Sequence, residues 1–292
     1  MTQEVRPLVF LGTPSAAATI LQQLINAGFD IRHVVTRPDA KRGRGGKTSA
    51  SPVKELALAN NLTVTHDLEW LKQNMATPML GVVVAYGRII PTSVLDHMQM
   101  INVHFSLLPR WRGAAPVERA IIEGDAVTGV CIMEVEPTLD TGAVYARSET
   151  AISESVTADE LTHELAVSGG HLLTDTLRRG LGTPLPQDGE PTYAAKIAPE
   201  ELRIDWSMSA GDIVRRVRSL RTFTTVDNAR LRIVEARVQP GSQAVGTVSE
   251  NCRVGTSEGL VELVRVQPEG KQVMEAGAWL RGRASRGVST FQ

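Results

Sequence analysis

The sequence predicts an α/β protein: a doubly wound, mostly parallel sheet followed by a smaller all-β domain. Three observations lead there. Apolar strand-like runs alternate with amphipathic helical segments over the first half of the chain. Those strands are continuously apolar, as strands buried on both faces are. Past Asp205 the pattern shifts to short alternating runs separated by glycine turns.

Residues 7–12 read as a buried strand that turns at Thr13-Pro14. Apolar periodicity then predicts a helix over 15–27, closed by Gly28 as a C-terminal cap. A strand over 31–36 completes a parallel βαβ unit. The alternation continues with a strand over 80–85, a helix over 91–98, a strand over 100–104, a helix over 114–123 and a strand over 129–136. A helix over 157–179 leads into the Gly/Pro-rich stretch 180–189, which reads as a linker. A helical segment over 210–220 precedes short strands near 230–238, 244–248, 252–254 and 260–266, a pattern that suits a small antiparallel barrel or sandwich.

The 292 residues suggest two domains, and 42% hydrophobic with 22% charged positions excludes collagen, coiled coil and disorder. Cys131 and Cys252 are the only cysteines, which excludes a disulfide framework or a thiolate zinc site and suits a reduced, cytoplasmic setting. No signal peptide is visible and no apolar run approaches the ~18 residues of a membrane span, so a soluble protein is expected. The net charge of -1 hides an asymmetry: residues 205–292 carry 13 basic and 9 acidic side chains. A basic C-terminal part suits an anionic partner such as nucleic acid.

Gly12-Thr13-Pro14 occupies the position of a dinucleotide fingerprint but lacks G-x-G-x-x-G, and it offers no phosphate loop. An open sheet still binds ligands beyond the carboxyl ends of its strands. Asn102 and His104, two apart on a strand, share one face there. An amide N–H and an imidazole N–H aimed at one developing oxyanion make an acyl-transfer site; the plain alternative is a hydrogen-bonded pair at a sheet edge. Asp140, in the turn Glu136-Pro-Thr-Leu-Asp140-Thr141-Gly142, supplies a carboxylate that could orient His104 and accept a proton from an attacking amine. Asp-Thr-Gly is also the aspartic protease signature, but that chemistry needs a second such loop and the sequence has none. The six histidines include no H-E-x-x-H, and no metal is expected. Arg37–Lys47 is a long, basic, glycine-rich loop, suited either to a phosphate backbone or to plain solvation.

The run Asn102-Val-His104-Phe-Ser106-Leu-Leu-Pro109-Arg-Trp111-Arg-Gly-Ala-Ala-Pro116 resembles the signature of the folate-dependent formyltransferases. So do Phe10-Leu-Gly-Thr-Pro14, the segment from Pro38-Asp39 to Lys54, Val83–Pro91, Leu139–Gly142, Thr192–Ile197 and Arg203–Ser207, in that order over most of the chain. The resemblance implies a Rossmann-like catalytic domain over residues 1–190, a linker over 191–206 and an OB-like barrel over 207–292. It implies formyl transfer from 10-formyltetrahydrofolate, as co-substrate, to the amino group of methionyl initiator tRNA, by a monomer. Asn102, His104 and Asp140 fall on the family's catalytic trio. Ser106, Leu107, Leu108 and Pro109, with Tyr86, Gly87, Arg88 and Ile89, fall on its folate-binding segments. Arg44 falls on the loop arginine that, in the family, helps place the tRNA acceptor end, and Lys41, Arg42, Lys47 and Lys196 are expected as further tRNA contacts.

Two departures stand out. Arg221–Thr225 replaces the family's Asn-Pro-Trp-Pro-Gly-like turn, and Phe105 stands where a small residue is common. Two rival readings remain: a formyltransferase of the same family acting on a small-molecule amine, and a non-catalytic tRNA-binding protein.

Overall fold

The computed structural model describes residues 6–42, 47–74, 78–283 and 290–291. The chain divides into two units by its contacts. The first gathers the residues up to Pro116 with Val127–Ala151 and Glu160–Ala195; the second gathers Val117–Ala126, Ile152–Asp159 and the residues from Lys196 onward.

In chain order the first half runs β1 (Leu8–Gly12), α1 (Ser15–Asn26), β2 (Ile31–Val35), β3 (Ala40–Arg42), β4 (Lys47–Ser49), α2 (Pro52–Ala59), β5 (Val64–Thr65), α3 (Glu69–Gln73), β6 (Leu80–Val84), α4 (Thr92–Leu95) and β7 (Met100–His104). It continues with β8 (Arg112–Gly113), α5 (Pro116–Glu123), β9 (Val127–Glu134), β10 (Val144–Ala151), α6 (Ala158–Arg179) and β11 (Tyr193–Ala194). Every residue of β1 and β6 is buried, as the continuous apolar runs require. Helix α1 buries Ala16, Ala17, Ile20, Leu21 and Leu24, the helical spacing read from the sequence. Helix α2 starts where Ser51 Oγ accepts the Lys54 N–H at 3.0 Å and Pro52 opens the first turn.

The seven-stranded sheet has the order β10-β9-β7-β6-β1-β2-β5. Strands β5, β2, β1, β6 and β7 are parallel neighbours, whereas β9 lies antiparallel to β7 and β10 antiparallel to β9. The apolar run at 129–136 thus folds as β9, Val127–Glu134, and reverses direction; a strand buried on both faces reads alike in either direction. Strand β1 lies between β2 and β6, so the chain's direction of travel across the sheet switches there, and in an open α/β sheet such a switch makes a crevice at the carboxyl ends of the two strands. Thr13 Oγ1 donates to the Tyr86 carbonyl across that crevice at 3.4 Å.

Helix α6 covers one face of β7 and β9. A Cβ on Gly169 would stand 3.1 Å from Val130 and 3.2 Å from Val103, so the absent side chain lets the helix backbone settle on these valines. Val103 is thereby committed to the covered face, and Asn102 and His104 point to the other.

Two local readings need correction. The basic stretch 37–47 is not an irregular loop throughout: β3 and β4 pair as a hairpin, with Ala40 opposite Ser49 and Arg42 opposite Lys47, because their backbone groups find each other as ladder partners. The 180–189 stretch is not a free linker. Leu185 and Val144 exchange backbone hydrogen bonds of 2.8 and 2.9 Å, which fasten it to the edge strand β10. Residues 191–206 are shared between the units: β11 pairs with β8 in the first, and Pro199–Leu202 forms a 3₁₀ turn in the second.

The second unit continues with α7 (Ala210–Ser219), β12 (Phe223–Val226), β13 (Ala229–Gln239), β14 (Arg253–Gly255), β15 (Leu260–Pro268), β16 (Met274–Glu275) and α8 (Ala276–Arg281). Its antiparallel sheet has the order β12-β13-β15-β14, with β16 also on β15. Isolated bridges at Val245–Gly255, Val248–Val254 and Thr247–Thr290 curl the sheet toward a small barrel. They replace the strand expected over 244–248, which Gly246 interrupts at φ 75°. Ile204, Trp206, Ile213, Leu231, Ile233, Val254, Leu263, Val266, Trp279 and Phe291 form the core. The atypical Arg221–Thr225 segment becomes most of β12, and Thr224 is buried where its hydroxyl accepts the Trp206 Nε1–H at 3.0 Å. Among the described residues no helix is long and apolar enough to cross a membrane.

Candidate active site

The site is built on the uncovered face of β7. His104 is 6% exposed, and its Nε2 lies 2.9 Å from the Trp111 carbonyl. A carbonyl only accepts, so Nε2 carries the proton, and Nδ1 faces the other way, toward Asp140 Oδ2 at 3.7 Å. That separation lies beyond a hydrogen bond. The group that orients the imidazole is therefore the Trp111 carbonyl, and Asp140 stands as a nearby anion. Asp140 Oδ2 itself accepts the Gly113 N–H at 2.8 Å. Asn102, half-buried and two residues before His104, makes no side-chain hydrogen bond with any described residue, so its amide is left for a ligand.

The direction of β9 changes how Asp140 arrives. Glu134, at the end of β9, lies opposite Ile101 near the start of β7, while His104 lies opposite Cys131. The loop after β9 therefore begins about 10 Å from His104 along the strand, and it doubles back over the sheet face to deliver Asp140. Asp140 adopts φ 51°, a left-handed conformation that aspartate takes more readily than most non-glycine residues.

The strip after β7 supplies the rest. Trp111, at φ 64°, donates its N–H to Thr192 Oγ1 at 2.9 Å, and Arg110 lies over its ring at 4.5 Å. Gly113, at φ 126°, has no room for a side chain: a Cβ would stand 2.7 Å from the Ala194 carbonyl oxygen. Arg112 donates to Gln187 Oε1 from Nε at 3.0 Å and from Nη2 at 2.7 Å. Gln187 Nε2 in turn donates to the carbonyls of Asp140 at 2.9 Å and Gly142 at 2.8 Å.

Two family models match the chain: "Formyl transferase" over residues 5–177 and "Formyl transferase, C-terminal domain" over 196–284. A methionyl-tRNA formyltransferase of Roseobacter denitrificans is 40% identical over 98% of this chain and 98% of its own. One of Thermodesulfovibrio yellowstonii is 35% identical over 97% of this chain and 98% of its own. The chain belongs to the methionyl-tRNA formyltransferase family. Two solved structures share its fold at low identity. One is the sugar 3N-formyl transferase WlaRD, solved with dTDP and 5-N-formyl-THF, with a TM-score of 0.68 and 16% identity over 92% of this chain and 100% of that one. The other is HypX of Aquifex aeolicus in complex with tetrahydrofolic acid, with a TM-score of 0.66 and 16% identity over 98% of this chain and 48% of that one.

In this methionyl-tRNA formyltransferase family chain, the expected folate-binding residues divide by how their side chains are used. Tyr86 is 2% exposed and packs with Val9, Leu11 and Val83, and burial raises its phenol pKa. Leu108 packs with Cys131, Met133 and Val144, and Ser106 is buried with its hydroxyl donating to the Arg110 carbonyl at 2.6 Å. Those three offer a ligand backbone rather than side chain. Burial in the same apolar patch raises the Cys131 thiol pKa, which leaves it a packing group. Gly87, Arg88 and Ile89 are exposed; Arg88 reaches the His66 carbonyl at 3.2 Å, and Ile89 is 85% exposed, an apolar side chain with nothing of the first unit over it. Leu107 and Pro109 are half-buried, and the Leu108–Pro109 peptide is cis. Phe105 is buried.

Of the expected tRNA residues, Arg44 lies outside the described residues, as do the side chains of Lys41, Arg42 and Lys47. Lys196 is exposed at the start of the second unit's last segment. Among the described residues no group of three or more His, Cys, Asp or Glu side chains could hold a metal.

Reasoning from sequence gave no role to the Trp111 carbonyl or the Gly113 N–H, none to Thr192 although its segment resembles the family's, and missed Gln187. The first two are backbone groups without a residue signature. Thr192 and Gln187 lie in or beside the stretch 180–195, whose length without regular structure was the available signal.

Proposed function

We propose that this protein transfers a formyl group from 10-formyltetrahydrofolate to the amino group of methionyl initiator tRNA, acting as a monomer in the cytoplasm for translation initiation. The single observation that carries the reading is the union on one sheet face of an uncommitted amide (Asn102), an oriented imidazole (His104) and a carboxylate (Asp140 at 3.7 Å from it). Exposed Ile89 and the backbone of Ser106–Pro109 fit a flat, partly apolar co-substrate at the adjoining strand ends. The residues of Lys41–Lys47 and Lys196 supply cations for the tRNA acceptor end, and residues 205–292, with 13 basic and 9 acidic side chains, add a basic excess suited to the same polyanion.

Asn102 donates an N–H to the formyl oxygen as the substrate amine adds to the formyl carbon and negative charge grows there. His104, held by its Nε2–H on Trp111, presents Nδ1 to the same region; protonated, it adds a second donor. Asp140 stabilises that cation and takes the proton the amine loses. As the C–N bond to the tetrahydrofolate breaks, a proton is returned to the leaving nitrogen, so the products are N-formylmethionyl-tRNA and tetrahydrofolate.

The test offers 10-formyltetrahydrofolate with charged initiator tRNA, with an amino-sugar nucleotide or with glycinamide ribotide. N-formylmethionyl-tRNA formed in preference to the other products supports the reading. Formylation of a small amine alone, or tRNA binding without any formyl product, overturns it in favour of one or other rival.

A further inference from the structure

We propose that Gln187 is a positioning residue for Asp140. It touches no reacting group, and the inference rests on the formyl-transfer reading of the site. Asp140 sits at φ 51° in a loop whose residues 136–139 are exposed, and whose internal side-chain bonds come from Thr141 Oγ1, to Glu136 Oε2 at 3.1 Å and to the Thr138 carbonyl at 3.2 Å. Gln187 adds a hold from outside the loop. Its Nε2 gives both hydrogens to the loop, one to the Asp140 carbonyl at 2.9 Å and one to the Gly142 carbonyl at 2.8 Å, straddling the residue after the carboxylate. Its Oε1 accepts twice from Arg112, at 3.0 and 2.7 Å. Carbonyls accept and a guanidinium donates, so the amide has only one orientation that satisfies all four contacts.

The geometry closes a ring of positions. Arg112 adjoins Gly113, whose N–H holds the Asp140 carboxylate at 2.8 Å. Gln187 therefore fixes the backbone of Asp140 from the strip that also fixes its side chain. Carboxylate and imidazole keep their separation only while both grips hold. A shift of about 1 Å at such a contact costs a reaction roughly a hundredfold.

Gln187→Glu separates positioning from general packing. It keeps an acceptor for Arg112 but replaces the two N–H donors with an oxygen that faces two carbonyls. Gln187→Leu removes both functions at nearly the same volume. Both variants are compared with wild type in formylation kinetics, and the Gly113 amide is followed by NMR-detected hydrogen exchange. The expected result is a tenfold to hundredfold lower kcat, KM for each substrate within about twofold, and faster exchange at Gly113. Wild-type kcat in both variants, a change confined to KM, or unaltered Gly113 exchange overturns the inference. A wild-type protein that forms no N-formylmethionyl-tRNA overturns the proposed function instead; the Gly113 exchange then still decides the role of Gln187 on its own.

Discussion

His104 Nδ1 and Asp140 Oδ2 lie 3.7 Å apart although β7 ends at one end of the sheet and the Asp140 loop leaves from the other. Proximity without a direct hydrogen bond means that the carboxylate acts on the imidazole by charge. Asp140→Asn isolates that contribution. An asparagine Oδ1 still accepts the Gly113 N–H, so the loop keeps its place while the negative charge disappears. The variant is expected to unfold within a few degrees of wild type while kcat falls about a hundredfold or more. Steady-state kinetics beside a thermal melt check both halves; a kcat within a factor of three would remove the charge from the mechanism.

Gly113→Ala reports on the other end of the same contact. The Cβ would meet the Ala194 carbonyl oxygen at 2.7 Å, and φ 126° is strained for any L-residue. Relief requires β8 to part from β11 or the backbone to turn, and either movement withdraws the N–H from Asp140. A loss of about 2 kcal/mol in stability is expected, together with lower kcat. Denaturant unfolding of the variant measures the first, and an unchanged midpoint would contradict it.

Acid stability in the second unit is expected to depend on Glu201. Arg119 forks onto it with bonds of 2.6 and 2.9 Å, and the Ala198 N–H adds a third at 2.8 Å. These contacts, the arginine foremost, hold its pKa at about 2, below the ordinary glutamate value of 4.5. A depressed carboxylate stabilises the fold fully above its unfolded pKa and loses that contribution as pH falls from about 4.5 toward about 2. Glu201→Gln should cost about 1 kcal/mol at pH 7 and flatten the pH dependence across that window. Melting temperatures taken from pH 7 to 3 test the sign: equal slopes for the two proteins would contradict it.

His33 places a second window in the first unit. It is fully buried, stacked on Trp70 at 4.0 Å, and desolvation lowers its pKa below 6.5. Its contribution is present above 6.5 and falls away as pH drops below it. His33→Phe should therefore lessen the loss of melting temperature between pH 7 and 5. A variant that tracks wild type through that range would show that His33 does not set it.

Much of this site was legible in the residues. The apolar run 100–104 has the bounds of β7, and its period of two put Asn102 and His104 on one face; both follow from burial, which side-chain type reports directly. The direction of β9 was not legible, since a strand with both faces covered looks the same either way. The hairpin of β3 and β4 escaped notice because three-residue strands rich in Lys and Arg carry no apolar alternation. Gln187 was hidden for another reason. Its partners are two carbonyls and an arginine brought together only by the fold, within a Gly/Pro-rich stretch that reads locally as a turn.

The most direct measurement is the single-turnover rate of formyl transfer to methionyl initiator tRNA for wild type, Asn102→Ala, His104→Ala and Asp140→Ala, each shown by circular dichroism to be folded. If the three side chains share one formyl carbonyl, every variant should react about 10²–10³ times more slowly than wild type. A folded variant of any of the three that transfers at close to the wild-type rate would contradict the account.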